Sequence, residues 1–91
     1  MDNTEDEKRE IISLLDDLSG DPSLPRNIKK GAIEIRNKLL SKNEALDVKI
    51  AGAIFILEDL LNDPNIPVHG RTAVYTIIGK LEKLSNDIST K

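Results

Sequence analysis

Few residues in this chain could do chemistry. The single histidine, His69, stands beside Gly70 and Arg71, with Asp63 in the segment before it. A histidine acts as a general base only when a partner orients its ring and a pocket brings substrate to it. No serine or cysteine nucleophile motif accompanies His69, so a solvated histidine near a helix start is the expected reading. The absence of cysteine excludes disulfides and thiolate metal sites, and one histidine cannot build a multi-histidine zinc centre. The sequence therefore predicts no catalytic residue, no metal and no cofactor, and the chain is not expected to be an enzyme.

Two constellations could carry binding instead. Residues 26–42 hold six bases (Arg26, Lys29, Lys30, Arg36, Lys38 and Lys42) and one acid, Glu34, whereas residues 1–21 hold eight acids and two bases. Arg26, Lys29, Lys30 and Arg36 form a basic patch of the kind that receives phosphates. The same charges suit pairing with the acidic segment across a short turn, and this intramolecular use is the preferred reading. A formal net charge of −3 and only two aromatics, Phe55 and Tyr75, disfavour nucleic acid as a partner.

The second constellation is apolar. At about 100° per residue, Val48, Gly52 and Phe55 lie opposite the core stripe of their helix, flanked by Ala45 and Ile56. The positions 42 residues earlier are the polar Asp6, Glu10 and Ser13. A one-sided apolar face of this kind marks an interface, and Gly52 would let a second helix approach closely. The competing account is that this helix lies deeper than the others and is covered on both sides. Ile33 and Leu40, one heptad apart on the preceding helix, read as the margin of a broad buried face. The leading expectation is a protein partner, or a second copy of the chain in a homodimer, docked on Ala45, Val48, Gly52, Phe55 and Ile56. Nucleic acid on Arg26, Lys29, Lys30 and Arg36 is the alternative.

The elements that position these residues follow from spacing. Asp21-Pro22-Ser23-Leu24-Pro25 recurs 42 residues later as Asp63-Pro64-Asn65-Ile66-Pro67, and ten of the 28 positions from Ile12 to Leu39 are identical at that offset. A period near 40 is typical of two-helix repeats, and the pattern resembles HEAT-like hairpins, although two copies are too few for an open solenoid. Apolar residues recur at spacings of three and four in four segments. The first helix runs over residues 4 to about 18, opened by a Thr4-x-x-Glu7 capping box and closed by Gly20, free to take positive φ, and Pro22. The second starts at Pro25 and runs to about 40. A Ser41-x-x-Glu44 box opens the third, which runs to about 61, and Pro67 opens the fourth, which runs to about 88. Gly31, Gly70 and Gly79 fall inside helices, where close packing of a neighbour is the expected reason for them.

Short loops make sequential helices antiparallel neighbours. The predicted fold is all-α, a four-helix antiparallel bundle of two pseudo-repeated hairpins: one domain over residues 1–91, with a disordered tail at 1–3, hairpin one at about 4–41 and hairpin two at about 43–88. The stretch from Ile50 to Leu57 is too short to span a bilayer, and the acidic start Met1-Asp2-Asn3-Thr4-Glu5 is not a secretory signal. No membrane partner and a cytoplasmic location are therefore expected.

The paired Asp-Pro-x-x-Pro turns, Arg26-Asn27-Ile28-Lys29-Lys30 after the first, His69-Gly70-Arg71-Thr72 after the second, and Ala51-x-Ala53-Ile54-x-Ile56-Leu57 in the third helix carry a likeness over most of the chain. It resembles a small archaeal family of uncharacterised proteins (UPF series, number 0147). The resemblance implies an all-helical fold and an archaeal, intracellular setting, and it brings no activity with it.

Overall fold

The computed structural model describes residues 4–89 and contains four helices: α1 (Thr4–Ser19), α2 (Arg26–Leu40), α3 (Leu46–Leu60) and α4 (Val68–Ser89). No strand occurs among the described residues, and the tail expected at 1–3 lies outside them. Each helix packs on two others, α1 and α3 each lying between α2 and α4. The helices thus close a ring. Glu7 and Glu10 of α1, and Asp21 in the turn after it, meet Lys83, Lys80 and His69 of α4 in reverse order, so these two helices run antiparallel.

The two Asp-Pro turns are built alike. Asp21 Oδ1 accepts the Ser23 N–H at 2.9 Å, and Asp63 Oδ1 accepts the Asn65 N–H at 2.8 Å. Each aspartate carbonyl also accepts a backbone N–H three residues on, from Leu24 and from Ile66. Each following proline carbonyl takes a first-turn N–H of the next helix, from Lys29 and from Arg71. The aspartate side chain thus folds the turn locally and the proline starts the helix. Gly20 is not in the left-handed region: no glycine among the described residues has positive φ. Its N–H donates to Asp16 O at 3.0 Å, so it prolongs the last turn of α1 instead of reversing it.

The core comes from the apolar residues spaced three and four apart on the four helices, and it extends into both turns. Leu14, Leu46 and Ile54 are half-buried and packed against the core, while Leu24 and Ile66, both in the turns, are fully part of it. Leu24 and Ile66 explain Gly70. A Cβ on Gly70 would lie 2.7 Å from Leu24 Cδ2 and 3.2 Å from Ile66 Cγ1, so both turn residues converge on the start of α4. A Cβ on Gly31 would likewise press on the Leu60 side chain, but nothing lies within 4 Å of one on Gly79. Close packing therefore accounts for Gly31 and Gly70 and not for Gly79.

The boundary between α2 and α3 departs from the expected capping box. Ser41 ends α2: its Oγ donates to Lys38 O at 2.9 Å, and its backbone N–H points to the same carbonyl. Helix α3 begins five residues later at Leu46, with Ala45 at its N-cap and no side-chain cap. Asp47 Oδ1 takes the Val48 N–H at 3.0 Å instead. At the start of the chain Thr4 already belongs to α1, and Glu7 directs Oε1 to Lys83 Nζ at 2.8 Å.

Candidate functional site

Helix α3 has a core side made of Ile50, Ala53, Leu57 and Leu60. Its opposite side holds Phe55, 74% exposed, and Val48, 50% exposed. Ala45 is exposed at the N-cap, and Ala51, not a member of the expected face, is exposed between Val48 and Phe55. Two members of the expected face do not belong to it. Ile56 is half-buried and packs on the core. Gly52 is covered by the stem of Lys38, whose Cε occupies the space a Cβ would need, so its smallness serves α2 and not an incoming helix. Lys38 in turn reaches Glu44 Oε1 at 3.2 Å. The face is therefore narrower than expected, a stripe of Val48, Ala51 and Phe55. The account in which α3 is covered on both sides does not hold, because α3 packs only on α2 and α4 and Phe55 faces water.

The basic patch is only partly spent inside the chain. Arg36 Nε lies 2.6 Å from Asp16 Oδ1, the one ion pair joining α1 to α2 among the described residues. The other interhelical partners of the α1 acids are on α4: Lys80 with Glu10 at 3.1 Å and Lys83 with Glu7 at 2.8 Å. Arg26, Lys29 and Lys30 make no ion pair among the described residues. The expected neutralisation of α2 by α1 thus fails for these three, because closing the ring turns the acidic side of α1 toward α4. Ile33 and Leu40 are not the margin of a buried face either; they are 48% and 47% exposed.

His69 is exposed in the first turn of α4, as expected, but it has partners. Its Nε2 lies 2.9 Å from Ser23 Oγ and 3.1 Å from Asp21 Oδ2. The combination of serine, histidine and aspartate invites comparison with a nucleophilic triad, and the geometry is wrong for one. Ser23 Oγ donates its proton to Asp21 Oδ1 at 2.6 Å. The histidine nitrogen next to the hydroxyl is also the one against the carboxylate, so the aspartate does not orient the ring through its other nitrogen as a triad requires. The hydrogen bonds from Ser23, first through its side chain and then its backbone, hold the Asp21 carboxyl below its ordinary value, with smaller help from His69. The cluster ties the first turn to the start of α4.

Lys49 was not anticipated at all. It is 5% exposed, and its Nζ donates to the Leu39 and Ser41 carbonyls at the end of α2. Those carbonyls lie where a helix runs out of its own donors. Arg71 does the same for α3, its Nη1 donating to Leu61 O at 3.3 Å. At the far end of the ring, Lys83 lies between Glu7 and Asp87. These two carboxylates, Glu7 first, hold its ammonium above the usual lysine value, and Lys83 is the main cause of a lowered Asp87. Among the described residues there is no group of three or more histidine, cysteine, aspartate or glutamate side chains placed to hold a metal ion, and no helix is long and apolar enough to cross a membrane.

Comparison with known proteins places this architecture. The model of an uncharacterised protein family, UPF0147, matches residues 1–84. The UPF0147 protein Ta0600 of Thermoplasma acidophilum is 49% identical over 76 residues, covering 84% of this chain and 86% of its own. A UPF0147 protein of Methanosarcina acetivorans is 39% identical over 79 residues, covering 87% and 81%. The crystal structure of a protein from the uncharacterised family UPF0147 of Thermoplasma acidophilum matches the fold with a TM-score of 0.86 at 46% identity, covering 89% of this chain and 95% of that one.

Proposed function

The chain belongs to the UPF0147 family of uncharacterised proteins, and from that premise we propose that it is a protein-interaction or self-assembly module that binds through the outer stripe of α3. One observation carries the proposal: Phe55 is 74% exposed on a helix whose structural duty is met on the opposite side. An exposed phenylalanine flanked by Val48 and Ala51 forms a small apolar contact centre of the kind that anchors interfaces. In this reading the protein binds and does not catalyse, its two hairpins are HEAT-like units closed on one another, and it works in the cytoplasm. Nucleic-acid association through α2 is the weaker alternative, since Arg36 is already paired with Asp16 and the chain carries a net charge of −3.

The first occupant to test is a second copy of the chain. Mass by light scattering, from micromolar to millimolar protein, should rise toward a dimer. Phe55→Ser should weaken that association at least about tenfold, from the roughly 1.5–3 kcal/mol that burying a phenylalanine contributes. If the chain stays monomeric, a photo-crosslinker at position 55 in cells of the source organism tests a different protein partner. A monomer with no protein adduct at that position would end the proposal.

A further inference from the structure

The seam between α1 and α2 carries a second surface, independent of the α3 stripe. Two shallow grooves open along it. The first has Leu24 and Ile33 in its lining, with Arg26, Lys29 and Lys30 around them. The second has Ile12 and Leu40, with Lys8, Arg9 and Glu5 around them. Ile33 and Leu40 are seven residues apart, about 10 Å along the helix at 1.5 Å per residue. The seam therefore offers two apolar seats two helical turns apart, with most of its free positive charge beside the first.

No described residue pairs with that charge. Arg26, Lys29 and Lys30 have no ion pair among the described residues. They lie in the first turns of α2, which has no acidic residue in its first turn, and cations at a helix N-terminus oppose the helix dipole. The second repeat offers a contrast. There Arg71, the counterpart of Lys29, donates to Leu61 O, whereas Lys29 makes no such bond to Ser19, the counterpart of Leu61.

We propose that this seam docks an acidic amphipathic helix of a partner protein. Apolar residues at i and i+7 of that helix enter the two grooves, and carboxylates beside the first meet Arg26, Lys29 and Lys30. A phosphate backbone would satisfy the cations but leave Ile33 and Leu40 in water, and neither groove holds an aromatic ring for base stacking. A second copy does not fit, because the acidic helix of this chain, α1, already buries Ile11, Leu15 and Leu18 in its own core.

The test is fluorescence anisotropy with a labelled helical peptide carrying leucine at i and i+7 and glutamates beside the first leucine. Its controls are a peptide of the same composition with the leucine spacing broken and a single-stranded DNA oligonucleotide. The designed peptide should bind saturably. Ile33→Ser combined with Leu40→Ser should weaken it about tenfold or more. Lys29→Glu combined with Lys30→Glu should weaken it and flatten its salt dependence. Helical circular dichroism confirms that each variant is folded, and Phe55→Ser should bind the peptide as the parent does, which separates this proposal from the α3 reading. Absence of saturable binding, equal binding of the respaced peptide, binding of the DNA alone, or variants without effect would each overturn it.

Discussion

Replacing Lys49 with methionine isolates a single contribution to this fold. The two side chains share an unbranched stem of similar volume, so packing along the stem is largely kept and only the ammonium is lost. That ammonium donates to the Leu39 and Ser41 carbonyls, and its residue is 5% exposed. Hydrogen bonds from a charged donor contribute about 1.5–3 kcal/mol each. Two of them, offset by the cost of burying the ammonium, leave a net loss of about 2 kcal/mol in Lys49→Met. Unfolding entropy near 2.1 cal/mol/K per residue gives about 190 cal/mol/K for 91 residues. The variant should therefore melt roughly 10 °C lower, measured by circular dichroism at the helical band. Amide exchange should accelerate first in residues 41–45, whose geometry Lys49 holds. A variant as stable as the parent, or more stable, would mean that desolvation cancels the hydrogen bonds, and the capping role assigned to Lys49 would be refuted.

The remaining predictions rest on the glycines and on Asp21. Gly79→Ala should stabilise the protein by about 0.5–1 kcal/mol, because alanine is the better helix former and its Cβ would meet nothing within 4 Å. Gly70→Ala should destabilise it by about 1–3 kcal/mol despite the same propensity gain, because its Cβ lands 2.7 Å from Leu24 Cδ2 in a packed region; urea denaturation of both variants checks the opposite signs. The Asp21 carboxyl is held below its ordinary value of 3.8 by Ser23. A depressed folded-state value stabilises the protein above the unfolded one, and that gain is lost as pH falls through the folded value. The melting-temperature gap between the parent and Asp21→Asn should therefore be full at neutral pH and shrink below about pH 4; a gap constant down to pH 2 would refute the assignment.

Helix number and the two turns were legible because they depend on local chemistry. Asp21 and Asp63 fold their own turns, and Pro25 and Pro67 begin the helices that follow. The start of α3 was not legible. Ser41 and Glu44 have the residue types of a capping box, but Ser41 bonds back to Lys38 O and Glu44 is drawn to Lys38 Nζ. Both contacts depend on where α2 ends. The pairing of charges failed for a related reason. Neighbours in sequence suggested α1 with α2, yet a closed ring gives α1 a second neighbour, and Lys80 and Lys83 of α4 reach Glu10 and Glu7. Leu24 and Ile66 did leave a signal, an apolar residue at the same place in both turns, which a reading of turns as polar passes over.

The internal repeat also supplies a comparison between a structural requirement and a dispensable one. At four pairs both copies keep a buried apolar residue: Leu15 and Leu57, Leu24 and Ile66, Ile35 and Ile77, and Leu39 and Leu81. At the outer positions the copies part. Phe55 matches Ser13, Val48 matches Asp6, and Leu40 matches Glu82, every one of them exposed. The apolar member of each pair faces water, Phe55 at 74%, Val48 at 50% and Leu40 at 47% exposure, so none of the three fills the core. Phe55, Val48 and Leu40 are therefore not demanded by the fold, and each leaves apolar surface in water that a polar residue would not. Surface substitutions of this kind fall within about ±0.5 kcal/mol, so Phe55→Ser should melt at the temperature of the parent while losing whatever docks on α3. A large drop in stability would instead return Phe55 to the core and remove the reason to look for an occupant of that face.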